Sequence, residues 1–190
     1  MNNHDMPSET ATIMFIDVAG FTKRTSTSTR GSLVLFQEFF DQVTIPIFNE
    51  FKGQVVKKIG DAFLVIFKSP TNAISCGMKL QNAFSHYNKS LPKTQRIKIR
   101  VALHTGEIVL HGKDIYGDAV NTSSRIEGIT KEGDIVFSES VFLAMNKNEI
   151  PFLHLGNFKM KGLRSPVRLF RVKRKHERSF FSRLKKQRKN

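Results

Sequence analysis

Apolar positions along the chain change their period several times, and each change marks an element. Ala11–Ile16 is a continuous, β-rich apolar run that stops at Asp17, as a buried strand would. Lys23–Ser32 is polar throughout and predicts a loop. Phe36, Phe40, Val43, Ile47 and Phe51 then follow at steps of 4, 3, 4 and 4, so Leu33–Phe51 is expected to be an amphipathic helix, kinked at Pro46. Gln54–Ile59 and Ala62–Phe67 are β-rich runs split by Gly60-Asp61, a strong hairpin signal. Thr71–Asn88 predicts a second helix, with Ile74, Met78, Leu80, Ala83, Phe84 and Tyr87 available to the core. Arg96–His104 opens with strict alternation and reads as a strand, with Gly106–Leu110 as its expected partner. A helix from Gly117 to Gly128, a strand at Asp134–Phe137, a short helix at Glu139–Met145 and strands at Phe152–Phe158 and Val167–Val172 complete the order. That order predicts an α+β sandwich in which helices pack on one mainly antiparallel sheet.

With 190 residues there is room for one domain with a real core, and 39% hydrophobic residues with 17 Phe exclude a wholly disordered chain. The single cysteine, Cys76, excludes an internal disulfide framework and a Cys-based zinc site; its apolar helical setting predicts buried filler. No apolar run approaches the ~18–20 residues of a membrane span. Met1–Thr10 lacks the pattern of a signal peptide and leaves no room for a sensor domain, so a cytoplasmic protein is expected.

The net charge of +15 is uneven. Arg171–Asn190 holds ten basic residues and one acid, for +9, which leaves +6 on residues 1–170. A run of like charge cannot join a packed core, so a boundary falls near Val172. Residues 1–10 are then a polar lead, 11–172 the folded domain and 173–190 a basic tail. Phe180, Phe181 and Leu184 interrupt the tail's cations, which fits either a solvated segment or one lying peripherally on an anionic inner-membrane surface. Nucleic acid is a weaker reading, because most of the charge sits in the tail and no base-reading motif is present.

Two carboxylates stand out by position. Asp17 ends the first strand and Asp61 sits in the hairpin turn, so both are expected at a sheet edge. Bare, two convergent carboxylates repel and one takes up a proton; Mg²⁺, which prefers oxygen ligands, removes the conflict. Aspartates after strands also serve turns and caps. Val18-Ala19-Gly20-Phe21-Thr22 could present backbone N–H groups to a phosphate, or be an ordinary loop. Neither GxxxxGK[ST] nor GxGxxG occurs. Asn121 and Arg125, four apart on the expected helix, share a face suited to an anion or to solvent. Lys57 interrupts an apolar strand, which a central strand rarely tolerates without a partner but an edge strand would.

Five blocks together resemble the class III nucleotidyl cyclases, in the order and spacing of that family. They are Phe15-Ile16-Asp17-Val18-Ala19-Gly20-Phe21-Thr22, Val56-Lys57-Lys58-Ile59-Gly60-Asp61-Ala62-Phe63, Arg100-Val101-Ala102-Leu103-His104-Thr105-Gly106, Asp114 through Arg125, and Lys161-Gly162. The resemblance runs from about Thr10 to Val172 and implies a ferredoxin-like-derived sandwich. It implies that Asp17, Asp61 and the Val18 carbonyl hold two Mg²⁺ or Mn²⁺ ions. Gly20, Phe21 and Thr22 would lie along the phosphates. Lys57 and Asp114 occupy the purine-selecting positions, where lysine can donate to adenine N1 and aspartate accept from the N6 amino group. Guanylyl-type members usually carry Glu and Cys there, so the pair argues for ATP. Asn121 would orient the ribose, Arg125 would stabilise charge at the α-phosphate, and Lys161 would meet the terminal phosphates. After Lys161, Leu163-Arg164-Ser165 departs from the second Lys-Gly of many relatives. No protein base is obvious; His104, within a strand, is expected to pack structurally. The implied activity is an adenylate cyclase making 3′,5′-cyclic AMP and pyrophosphate, at two equal sites of a head-to-tail homodimer. A non-catalytic, nucleotide-binding module would have lost one of Asp17, Asp61, Asn121 or Arg125, and all four are present.

Overall fold

The computed structural model describes residues 7–20 and 30–174. Its first strand, β1 (Ser8–Val18), is longer at both ends than the apolar run, because Ser8–Thr10 pair with Val109–Glu107 across the sheet. Helix α1 (Arg30–Glu50) runs through Pro46, whose missing N–H leaves the Gln42 carbonyl without its intrahelical donor but does not end the helix. The hairpin falls where the sequence puts it, with β2 (Gln54–Ile59) and β3 (Ala62–Phe67) turning at Gly60, whose φ of 62° suits glycine. Helix α2 (Pro70–Tyr87) starts at Ser69, whose hydroxyl accepts from the Asn72 N–H, and carries Pro at its first position.

The next segment differs from expectation. Gly106–Leu110 is not a separate partner strand; β4 runs unbroken from Ile99 to His111 and pairs with the three-residue β5 (Asp114–Tyr116). Thr105-Gly106 looks like a turn in the sequence, yet Gly106 serves close packing. A Cβ added there would lie 2.9 Å from the Ala119 Cβ of α3 (Asp118–Ile129). β6 (Ile135–Ser138), α4 (Glu139–Ala144), β7 (Phe152–Phe158) and β8 (Val167–Val172) follow, with both late strands at their expected bounds.

The sheet order is β2-β3-β1-β4-β6-β8-β7, with β5 added to β4. Only β4 and β6 pair in parallel among these strands. Alternation on β1 divides the core. Met14, Ile16 and Val18 join the large cluster under α1 and α2, where the Phe40 ring lies 5.7 Å from that of Phe63 and 5.5 Å from that of Phe84. Ala11 and Ile13 face the other way, toward Ala119 of α3. Asp17, between Ile16 and Val18, therefore belongs to the α3 side of the sheet.

Candidate active site

Strand register brings the two predicted carboxylates together. β1 and β3 pair with Ile16 opposite Phe63, so the Gly60-Asp61 turn lies beside the end of β1. The Asp61 carboxyl thus neighbours that of Asp17, while the backbone N–H groups of Asp61 and Val18 favour its charged form. Burial, reinforced by the hydrogen bond and charge of Asp17, pushes Asp61 up from 3.8 to about 7. A raised pKa on one member is what a bare pair of convergent carboxylates is expected to show. Asp61 Oδ2 is buried with no hydrogen-bond partner, an arrangement a hard cation would relieve. Among the described residues no group of three or more His, Cys, Asp or Glu gathers for a metal. A cation at Asp17 and Asp61 would thus complete its shell with backbone carbonyl, water or phosphate oxygen, as Mg²⁺ commonly does.

Two further residues, unassigned from the sequence, complete this corner. Arg100 lies directly opposite Asp17 in the β1–β4 register. Its Nε donates to Asp17 Oδ2 at 2.8 Å, and its Nη2 contacts the same oxygen and Glu127 Oε1 of α3, the latter at 2.6 Å. Burial raises the Glu127 pKa against the opposing pull of Arg100. The signal for Arg100 was its place in the alternating Arg96-Ile97-Lys98-Ile99-Arg100, but which residue it faces depends on a register that local sequence does not carry.

Lys57 and Asp114 form a second unit. β2 is the edge of the sheet, which accounts for a lysine in an apolar strand. A register shift between Val55 and Lys57 accompanies an ion pair from Lys57 Nζ to Asp114 Oδ2 of 2.6 Å. Asp114 also accepts from the Ile115 N–H at 2.8 Å, and the Lys57 bond holds its carboxyl below the ordinary range. A donor and an acceptor stand side by side, both partly exposed.

Asn121 and Arg125 share the exposed side of α3, opposite Ala119, Thr122, Ser123 and Ile126. Glu127 faces Arg100, and Arg125, two residues earlier, is about 200° away around the helix. The fold therefore does not bring Arg125 to its own Asp17. Lys161 is exposed in the β7–β8 connection, after Met160, which packs against the cluster of Ala102, Ile126, Val136 and Leu169. It too lies on the α3 side, away from the β2–β3 turn. Gly20 has a φ of 75° and open space around it, and Phe21 and Thr22 lie outside the described residues.

His104 is not poised as a base. Its Nδ1 is 2.9 Å from Ser138 Oγ, and burial lowers its pKa to about 4, which leaves a neutral packed ring. Cys76 is fully buried, with its thiol pushed up to about 12. No described helix is long and apolar enough to cross a membrane.

Residues 4–175 match the family model described as the adenylate and guanylate cyclase catalytic domain. Among curated proteins, the serine/threonine-protein kinase pkn2 of Myxococcus xanthus is 33% identical over 166 residues, covering 87% of this chain but 20% of the kinase. The adenylate cyclase of Anabaena cylindrica is 27% identical, over 85% of this chain and 36% of that protein. The chain thus spans well under half the length of these relatives. Among solved structures, an adenylate/guanylate cyclase/hydrolase from Silicibacter pomeroyi superposes with a TM-score of 0.79 at 29% identity, over 89% of this chain and 99% of that one. The adenylyl cyclase CyaB from P. aeruginosa gives the same TM-score at 21% identity and supports the fold. With the family model covering nearly the whole chain, and the α+β fold shared with these cyclase domains, the protein belongs to the class III adenylate and guanylate cyclase catalytic domain family.

Proposed function

We propose that this domain is an adenylate cyclase, converting ATP to 3′,5′-cyclic AMP and pyrophosphate at sites shared between two chains of a head-to-tail homodimer. The observation that carries the reading is the pairing of buried Asp17 with half-buried Asp61, whose Oδ2 is buried without a partner. Two divalent cations, Mg²⁺ or Mn²⁺, held by Asp17, Asp61 and the Val18 carbonyl would lower the pKa of the ribose 3′-hydroxyl and neutralise the leaving pyrophosphate. The 3′-oxygen attacks the α-phosphorus in line, the bond to the pyrophosphate oxygen breaks, and the hydroxyl proton passes to solvent.

The chain's own residues do the positioning. Lys57 donates to adenine N1 and Asp114 accepts from the N6 amino group; the pair they already form supports adenine over guanine, whose edge has the opposite polarity. Asn121 holds the ribose. Arg125 donates to the α-phosphate oxygens as charge builds there. Lys161 meets the terminal phosphates, and the N–H groups of Gly20, Phe21 and Thr22 line the phosphate path. Arg100 keeps a fixed positive charge beside the carboxylate pair. Because Arg125 points away from its own Asp17, the partner chain supplies it. The basic segment 173–190, almost wholly outside the described residues, is read as a contact for an anionic membrane surface.

The test supplies ATP and GTP together at equal concentration with Mn²⁺ and separates the products by chromatography. Cyclic AMP with pyrophosphate is expected to dominate. Cyclic GMP as the main product, or no cyclic product, would overturn the reading.

A further inference from the structure

Arg100 and Glu127 reach the carboxylate corner from two different elements, and the backbone under each is pinned. On one side of Arg100, β4 pairs with β1, where Asp17 lies directly opposite. On the other, the Val101 N–H donates to the Asp134 carbonyl at 3.0 Å, and the Gly133 N–H to the Ile99 carbonyl at 2.8 Å. Helix α3 is seated on the sheet by the buried Ser123 hydroxyl, which donates to the Ile13 carbonyl at 3.3 Å, and by fully buried Ile126 just before Glu127. Between these fixed backbones the guanidinium spends Nε, at 2.8 Å, and Nη2 on Asp17 Oδ2, and Nη2 also meets Glu127 Oε1 at 2.6 Å. Only 12% of the Asp17 side chain and 20% of that of Glu127 is exposed, so little water competes for these contacts. Both hydrogen bonds go to the same Asp17 oxygen, and Oδ1 takes none from the guanidinium.

We infer that Arg100, braced by Glu127, is a positioning residue for the divalent cations: it holds Asp17 by one carboxylate oxygen and so reserves the other as the ligand. The inference rests on the reading of Asp17 as a cation ligand and adds what orients it. A carboxylate alone turns about its last bond and offers either oxygen; two donors from one planar fork stop that turn. Glu127, by engaging Nη2 from α3, keeps the fork from sliding across to Oδ1, where it would compete with the cation. A role through charge alone predicts the opposite sign. A guanidinium beside a cation site repels the cation, so removing that charge would by itself tighten binding. Partners that orient a ligand act the other way, and their loss typically costs about 10–100-fold in metal affinity.

The test is Mn²⁺ binding to the full chain without nucleotide, read from the electron paramagnetic resonance signal of free Mn²⁺, with a melting curve for each variant. D17N should lose the binding seen in the wild type. R100Q, which lacks the charge, and R100K, which keeps the charge but lacks the fork, should each bind about 10-fold more weakly or worse. R100K carries the test if R100Q does not fold. E127Q, whose amide oxygen still accepts from Nη2, should bind more tightly than E127A, which loses the brace; equal affinities would overturn the part given to Glu127. A folded R100K or R100Q that binds Mn²⁺ as tightly as the wild type, or more tightly, would overturn the positioning role while sparing Asp17 as a ligand. A lower melting temperature in that case would leave Arg100 only the task of tying β4 to α3. A D17N that binds like the wild type, or a wild type that binds no Mn²⁺, would overturn the ligand reading and the positioning with it.

Discussion

Asp61 carries the sharpest consequence at the scale of single residues. Its pKa rises from 3.8 to about 7 in the fold, so between those values the folded state binds a proton that the unfolded chain has lost. Stability of the metal-free protein therefore falls as pH climbs through that window and levels off above it. Asn cannot ionise. D61N should thus melt higher than the wild type at about pH 8, with the gap closing toward about pH 4. Added Mg²⁺ should raise the wild-type melting temperature at the upper pH and leave D61N unmoved, while cyclisation is lost in the variant. Parallel melting curves across the range would refute the environment described for Asp61. The purine pair gives a second expectation. K57E/D114C inverts donor and acceptor at the adenine edge and should move the ATP:GTP ratio of kcat/KM toward GTP by about 10-fold or more. An active variant that keeps its ATP preference would contradict the assignment. The two aspartates were legible in the sequence because each follows a strand. Arg100 and Glu127 were not, because only cross-strand register and the rotation of α3 place them there.

Elements were read most accurately where local chemistry punctuates the chain. Gly60-Asp61 sets the hairpin, Ser69-Pro70 opens α2, and β7 and β8 keep their apolar bounds. Local signals misled at Gly106, where a glycine that looks like a turn is instead the contact point between β4 and α3. β5, with three residues, is too short to carry any period. The Gly106 contact is testable. G106A puts a methyl group 2.9 Å from the Ala119 Cβ, well inside contact distance, and backbone on both sides limits relaxation. It should cost about 1–3 kcal/mol in denaturant unfolding. A119G, which alone costs roughly 1 kcal/mol of helix stability, should recover part of that loss when combined with it. Simple addition of the two losses would show that the helix and strand are not in the contact described.

At the scale of the whole molecule, the carboxylate corner and the Asn121–Arg125 face lie apart on the chain. The carboxylate corner is closed by Arg100 and by Glu127 on one side of α3, while Asn121 and Arg125 occupy the exposed side. The central claim is that ATP is cyclised where the carboxylate corner of one chain meets the exposed α3 face of another. D17A removes the first half and R125A the second, so each variant alone should make no cyclic AMP. Mixed and allowed to exchange subunits, they form dimers in which one site holds both lesions and the other holds none. With random exchange roughly half the dimers are mixed, each with one intact site of two, so about a quarter of wild-type cyclic AMP production should return. No recovery at any mixing ratio, with exchange demonstrated by differently tagged chains, would contradict the shared site.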